Sequence, residues 1–152
     1  MPEVSLKFFM PVKVASTEQM SPREQIKKAI QEIDTFLKEK KVKVLGSVLA
    51  LVHDDPKAVD PSQAHCEICL PISGKIKGES TVKDKELAKG AFACITHKGP
   101  LEKLGETYQV ILKWIEENGY MIAGPVREIY QKGLNEPGGQ EYVIELQFPV
   151  RK

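Results

Sequence analysis

An internal repeat constrains the fold of this chain more than any single motif does. Glu67 lies four residues before Pro71 in the run CEICLPI, and Glu145 lies four residues before Pro149 in the run QEYVIELQFPV. Both pairs are related by the same offset of 78 residues. A repeat of this length sets the architecture, because each copy must form the same unit of secondary structure.

The offset holds over much of the chain without a gap. Apolar residues, turn residues and helix starts keep register: Pro22 with Pro100, Ile26 with Leu104, Ile33 with Ile111, Leu37 with Ile115, Gly46 with Gly124, and Val48 with Val126. Two copies of 78 residues would slightly exceed the 152 residues present, so we expect no room for another domain. The sequence therefore predicts a single domain over residues 1–152, with repeat 1 at about 1–74 and repeat 2 at about 75–152.

Each half is predicted to form a strand, a helix and two further strands. The last run alternates apolar and polar residues, which is typical of a half-buried strand. Ser21-Pro22 predicts the start of a helix, and residues 4–16 look extended with a break at a proline. The polar stretch 73–90 reads as turns, and the second repeat is expected to begin there. Both helices have an apolar stripe: Ile26, Ile30, Ile33 and Leu37, then Leu101, Leu104, Tyr108, Ile111 and Ile115.

These patterns predict an α+β fold, a tandem duplication of a strand-helix-strand-strand unit with antiparallel sheets and one helix per repeat. Composition then excludes some classes of function. With 22 basic and 21 acidic side chains, the net charge is +1 and offers no basic footprint for nucleic acid. No apolar run could span a bilayer, and no signal peptide is recognisable. We therefore expect a cytoplasmic protein with neither nucleic acid nor membrane as a direct partner.

The cysteines and histidines predict neither a metal site nor a cofactor. Three cysteines are an odd number, which suits a reducing compartment. Cys66 and Cys69 lie three apart in a predicted strand and so point to opposite faces, where they could not share a metal ion. The three histidines show no ligand spacing. His97, just before a turn, is expected to bond locally to the backbone.

Parity also indicates which sheet face could carry a site. If the apolar residues of each last strand pack under a helix, Glu67 and Glu145 project from the opposite face. Were the two halves related by a pseudo-two-fold axis, both carboxylates would approach one surface. In a partly apolar cleft they would attract a cation or a protonated amine. The alternative is that both acids decorate a solvated sheet face.

Several motifs of the second half together resemble the GyrI-like family. These motifs are His97-Lys98-Gly99-Pro100, Trp114, Asn118-Gly119-Tyr120, Gly124-Pro125-x-Arg127-Glu128-x-Tyr130 and Glu145-x-x-x-Pro149-Val150. The family comprises the effector-binding domains of bacterial transcription regulators, together with free-standing proteins that include gyrase inhibitors. No helix-turn-helix is recognisable here, so the chain resembles a free-standing member. The resemblance implies a ligand cleft between the halves, on the sheet side.

The resemblance also implies a function and a set of binding residues. It assigns the binding glutamate to Glu145, with Glu67 as a possible symmetric partner and a small, cationic or amphipathic aromatic molecule as ligand, as in multidrug binding. Tyr130 is the best-placed aromatic, followed by Phe92 and Tyr108, which could equally be core residues. One alternative is a hydrolase of small electrophiles with Glu145 as general base. Another is a protein-interaction module of the gyrase-inhibitor type, with a protein partner or a homodimer.

Overall fold

The computed structural model describes residues 3–17, 21–22, 25–55, 57–59, 64–74, 76, 82–132 and 141–152. A loop predicted around residues 135–139 lies outside them. Within these ranges the elements are β1 (Ser5–Phe9), β2 (Val12–Thr17), β3 (Ser21–Pro22), α1 (Ile26–Lys40), β4 (Leu49–Val52), β5 (His65–Pro71), β6 (Val82–Leu87), β7 (Gly90–Gly99), α2 (Leu104–Glu117), β8 (Met121–Ile122), β9 (Val126–Lys132) and β10 (Tyr142–Arg151). A single 3-10 turn, Leu101–Lys103, precedes α2.

The strands form one antiparallel sheet that carries both helices on the same face. Their order is β1-β7-β10-β9-β4-β5-β2-β6, with β3 added to β5 and β8 added to β10. Helix α2 packs mainly on β7, whereas α1 packs on β5 and β2. The middle strands β4 and β9 therefore lie between the strands that support the two helices. The predicted α+β class, with an antiparallel sheet and two helices, is confirmed.

The main core lies between the sheet and the helices, on what we call the helix face. Ile33 of α1, Ile111 of α2 and Ile144, Leu146 and Phe148 of β10 have no exposed surface. The helical spacing of three and four and the strand spacing of two bring these residues to one side, as the sequence predicted. Within the described residues, neither helix is long and apolar enough to cross a membrane.

The opposite side of the sheet, the strand face, has a smaller apolar cluster of its own. It consists of Val14, Leu49, Leu51, Cys69 and Leu87, with Val12 and Ile129 packed against it. Cys66 belongs instead to the helix-face core, so the predicted opposite orientation of the two thiols is confirmed. All three cysteines are free and buried. Burial raises the pKa of the Cys94 thiol to about 12, which keeps it protonated and unreactive at neutral pH.

Two predicted elements differ from the structure. Helix α1 begins at Ile26 and not at Pro22, because Ser21 and Pro22 pair with Cys66 and His65 of β5 and extend the sheet. The stretch predicted as turns contains β6, whose sequence VKDKEL is mostly charged. Strand β6 lies at the edge of the sheet, where charged side chains protect the open backbone from pairing with other chains. Such a strand lacks the apolar alternation that identifies inner strands.

Candidate functional site

Glu145 of β10 lies on the strand face, in an ion pair with a residue distant in sequence. The ammonium of Lys7, on β1, donates to Oε2 at 2.8 Å, and the amide of Gln147 donates to Oε1 at 2.5 Å. The hydrogen bond to Glu145 raises the pKa of Lys7 above its ordinary value. Glu145 is 9% exposed, so this carboxylate is held in a nearly dry environment.

Glu67 of β5 has a similar arrangement on the same face. Lys85 of β6 donates to both carboxylate oxygens, at 2.9 and 3.1 Å, and His53 Nε2 lies 3.0 Å from Oε1. Burial acts to raise the pKa of Glu67, but the hydrogen bonds from Lys85, His53 and Ser16 outweigh it. The pKa of Glu67 is therefore lower than its ordinary value of 4.5.

The two glutamates do not share one binding surface. Strands β10 and β5 are separated by β9 and β4, which places the carboxylates roughly 14 Å apart across three strand spacings. Ile129, Leu49 and Leu51 fill the strand face between them. Each carboxylate instead has its own lysine, which compensates its charge locally.

Replacing Glu67 by Gln is expected to change how stability depends on pH. Because the folded-state pKa of Glu67 is lowered, the ionised carboxylate stabilises the fold above about pH 4.5, and this contribution is lost as the pH falls through the folded-state value. Urea unfolding should show the wild type more stable than Glu67→Gln at about pH 7, with the difference shrinking in acid. Glu39→Gln, at an exposed position of α1, is the control. A difference that is constant with pH would contradict the assignment.

Arg127 and Phe92 also lie on the strand face. Arg127 donates from Nη2 to the carbonyl oxygen of Ala88 at 2.8 Å, and its guanidinium lies 4.3 Å from the ring centre of Phe92. Burial lowers the pKa of Arg127. The surface pair of Arg127 with Glu128 considered from the sequence does not form, because adjacent residues of a strand project from opposite faces.

A second acidic site lies on the helix face, around Glu128 of β9. This carboxylate has no exposed surface. The hydroxyl of Tyr108, from α2, donates to Oε2, and the hydroxyl of Tyr130 donates to Oε1 at 2.8 Å. In the sheet Glu128 is opposite Ala50 of β4, so it stands at the middle of the fold.

Aromatic rings surround this carboxylate. Tyr108 meets Phe148 edge to face, with ring centres 5.7 Å apart, and Tyr130 meets Tyr142 in the same manner at 6.3 Å. We call these four rings and Glu128 the Glu128 site. Ring faces and a buried carboxylate both attract a positive charge, and the rings also accommodate an apolar surface. The arrangement suits an organic cation better than an anion or a polar neutral molecule.

The structure divides the predicted binding residues between the two faces. Tyr108 and Tyr130 come together at the Glu128 site, whereas Glu145, Glu67 and Phe92 lie on the strand face. Sequence reasoning missed Glu128, because the repeat directed attention to acids present in both copies. A signal was available, since Glu128 shares its parity with Val126 and Tyr130, on the apolar side of its strand.

His97 has the local role predicted for it. Its Nε2 lies 3.0 Å from the carbonyl oxygen of Pro100 and its Nδ1 lies 2.7 Å from Thr107 Oγ1. In the neutral ring Nε2 donates to the carbonyl and Nδ1 accepts from the threonine hydroxyl. His97 thereby joins the end of β7 to α2. Among the described residues, no group of His, Cys, Asp and Glu is placed to hold a metal ion.

Family comparison agrees with this architecture. Residues 2–151 match the GyrI-like small molecule binding domain. The chain therefore belongs to the GyrI-like family, whose members are small-molecule-binding domains. No curated protein matches the chain.

Solved structures share the fold over nearly the whole chain. The EcmrR C-terminal domain is 25% identical, with a TM-score of 0.87 and coverage of 100% of this chain and 99% of that one. In the EcmrR–DNA complex the values are 24% and 0.86, and this chain spans only 58% of EcmrR. SAV2435 bound to tetraphenylphosphonium is 12% identical, with a TM-score of 0.62 and coverage of 98% and 94%. A hydrolase encoded by lin2189 from Listeria innocua is 13% identical, with a TM-score of 0.75 and coverage of 98% and 92%.

Proposed function

We propose that this protein binds a cationic or amphipathic aromatic molecule at the Glu128 site. The observation that carries the proposal is the Glu128 carboxylate, which has no exposed surface and accepts hydrogen bonds from Tyr108 and Tyr130 among aromatic rings. Taking a carboxylate out of water is costly. An organic cation bound against it recovers part of that cost through charge, and its apolar groups gain contact with the rings.

Binding at this site requires side chains to move. Because Glu128 has no exposed surface, a ligand can reach it only if the surrounding rings change rotamer or the helices shift. Part of the gross binding energy is used for that rearrangement. Large, flat or rounded apolar cations would offset it best, since they gain the most contact area with the aromatic side chains.

We further propose that residues 1–152 are one domain built by tandem duplication, with the Glu128 site where the halves meet. The pairing registers support this. Ser5 is opposite Cys94 in the β1–β7 pair, and Ser16 is opposite Lys83 in the β2–β6 pair, which are the same positions shifted by 78 residues. The ion pairs of Glu145 and Glu67 are related in the same way, through Lys7 and Lys85. Ala50 opposite Glu128 is the pair that this operation maps onto itself.

The binding roles of Glu145, Glu67 and Phe92 remain predictions. Their geometry gives less support, because Lys7 and Lys85 already compensate the two carboxylates. The same contacts disfavour Glu145 as a general base, since both of its oxygens accept hydrogen bonds from Lys7 and Gln147. A cytoplasmic location also stays a prediction, and we do not propose that this chain itself contacts DNA.

Tetraphenylphosphonium is the probe for the proposed function, because SAV2435, which shares the fold, is bound to it. At a concentration of about 100 times Kd it should stabilise the native state by about 2.7 kcal/mol and raise the Tm by roughly 5–10 °C. Triphenylphosphine oxide, a neutral aryl phosphorus compound, is the control and should raise the Tm far less. Equal shifts for the two compounds would remove the role of charge, and no shift for either would refute the proposal.

A further inference from the structure

A hollow of about 360 Å³ lies where β4 ends beside the start of β9. Its apolar wall is formed by Val52, Ile122, Gly124, Pro125 and Val126. Its rim carries His53, Asp54, Asp55 and Lys57. We call it the rim hollow. Its volume is within the range of small-molecule sites, and its combination of apolar walls and charged rim is typical of them.

The rim hollow is next to the Glu128 site along the sheet. Val52 is paired with Val126, and the next pair on the same face is Ala50 with Glu128. One step between such pairs is about 6.7 Å along the strand. Val52 and Val126 are buried and form the partition between the hollow and the carboxylate. A ligand that reaches Glu128 therefore has an apolar space beside it, separated by two small side chains.

The rim presents two carboxylates that the backbone holds in place. Asp54 Oδ2 accepts from the backbone N–H of His65 at 3.2 Å, and Asp55 Oδ1 accepts from that of Lys57 at 2.9 Å. An ionised carboxylate has about four acceptor positions, so both retain capacity for a further partner. Lys57 offsets one of the two charges, which leaves the rim acidic with His53 neutral.

We propose that the rim hollow is a second subsite, which takes the far end of an elongated organic dication whose near end lies at Glu128. This inference rests on the proposed function. Four residues separate Ala50, opposite Glu128, from Asp54, so the two acidic ends are at most about 13 Å apart. The apolar wall between them suits a hydrocarbon spacer. Once the near end is bound, the far end meets its carboxylates at a high effective concentration.

Isothermal titration calorimetry with decamethonium and decyltrimethylammonium tests the second subsite. Both carry the same hydrocarbon chain, but only decamethonium has a quaternary ammonium at each end. The wild type should bind decamethonium about 10-fold more tightly. Asp54→Asn with Asp55→Asn should abolish that preference and leave the affinity for the monocation within about twofold. Asn retains an oxygen for the backbone N–H, so the loop stays in place. Hexamethonium, whose spacer is shorter, should show less preference.

The outcomes separate this inference from the proposed function. A preference for decamethonium that is absent in the wild type, or that survives the double substitution, overturns the second subsite. In that case the proposed function still stands if the monocation binds and loses affinity on Glu128→Gln. If neither the two cations nor tetraphenylphosphonium binds, both proposals fail together.

Discussion

Replacing Glu128 by Gln is expected to lower the affinity for tetraphenylphosphonium by about 30-fold or more, corresponding to about 2 kcal/mol. The amide keeps an oxygen for a tyrosine hydroxyl and nearly the same volume, so the shape of the site is preserved. What it removes is the negative charge that compensates a bound cation. Calorimetric titration at fixed salt measures the change. Affinity for triphenylphosphine oxide should hardly differ between the variant and the wild type.

Glu145→Gln is the matched control, because it makes the same chemical change on the strand face. Glu145 is bound by Lys7 and Gln147 and lies across the sheet from the aromatic rings, so its loss should change tetraphenylphosphonium affinity by less than about threefold. The reverse result, with Glu145→Gln abolishing binding and Glu128→Gln leaving it intact, would move the ligand to the strand face. It would also support the binding role that the family resemblance assigns to Glu145.

Phe148→Ala is expected to give the largest loss of stability, about 3–5 kcal/mol. Phe148 of β10 has no exposed surface and packs edge to face on Tyr108 in the helix-face core. The substitution removes most of a large buried side chain and leaves a cavity that the sheet cannot fill. For a domain of this size the Tm should fall by roughly 6–20 °C, measured by calorimetry or circular dichroism.

Phe8→Ala provides the comparison, since Phe8 of β1 is 63% exposed. The same truncation there should change the free energy of unfolding by no more than about 0.5 kcal/mol. If Phe148→Ala were as mild as Phe8→Ala, the ring could not occupy the position described. The two variants share residue type and element type, so burial is the main difference between them.

The sequence predicted the helices and inner strands because each buries one face, which leaves a periodic pattern. It failed at β6, where an edge strand needs no apolar alternation, and at Pro22, whose local preference for a helix start yielded to pairing with β5. Glu145 and Glu67 were correctly assigned to the face without helices. Their separation depends on strand order, which no local pattern records. Lys7 and Lys85 could not be predicted as their partners for the same reason.

The Glu128 site was out of reach for a different reason. A repeat argument weights residues that occur twice, and Glu128 is opposite Ala50, its counterpart in the other half. A carboxylate at a buried strand position is unfavourable for stability, so only its chemical use explains it. Tyr108 and Tyr130 were identified as candidates from the family pattern. Their convergence on one carboxylate required the contact between α2 and β9.

The exchange of outer strands has a consequence for dividing the chain. β1 pairs with β7, and β6 pairs with β2, so neither portion on its own can complete its sheet. Two polypeptides separated between β5 and β6 would each expose unpaired backbone and part of the apolar core. They could satisfy both only by recombining with each other. This makes the domain a natural scaffold for a split reporter whose reassembly depends on two co-expressed fragments.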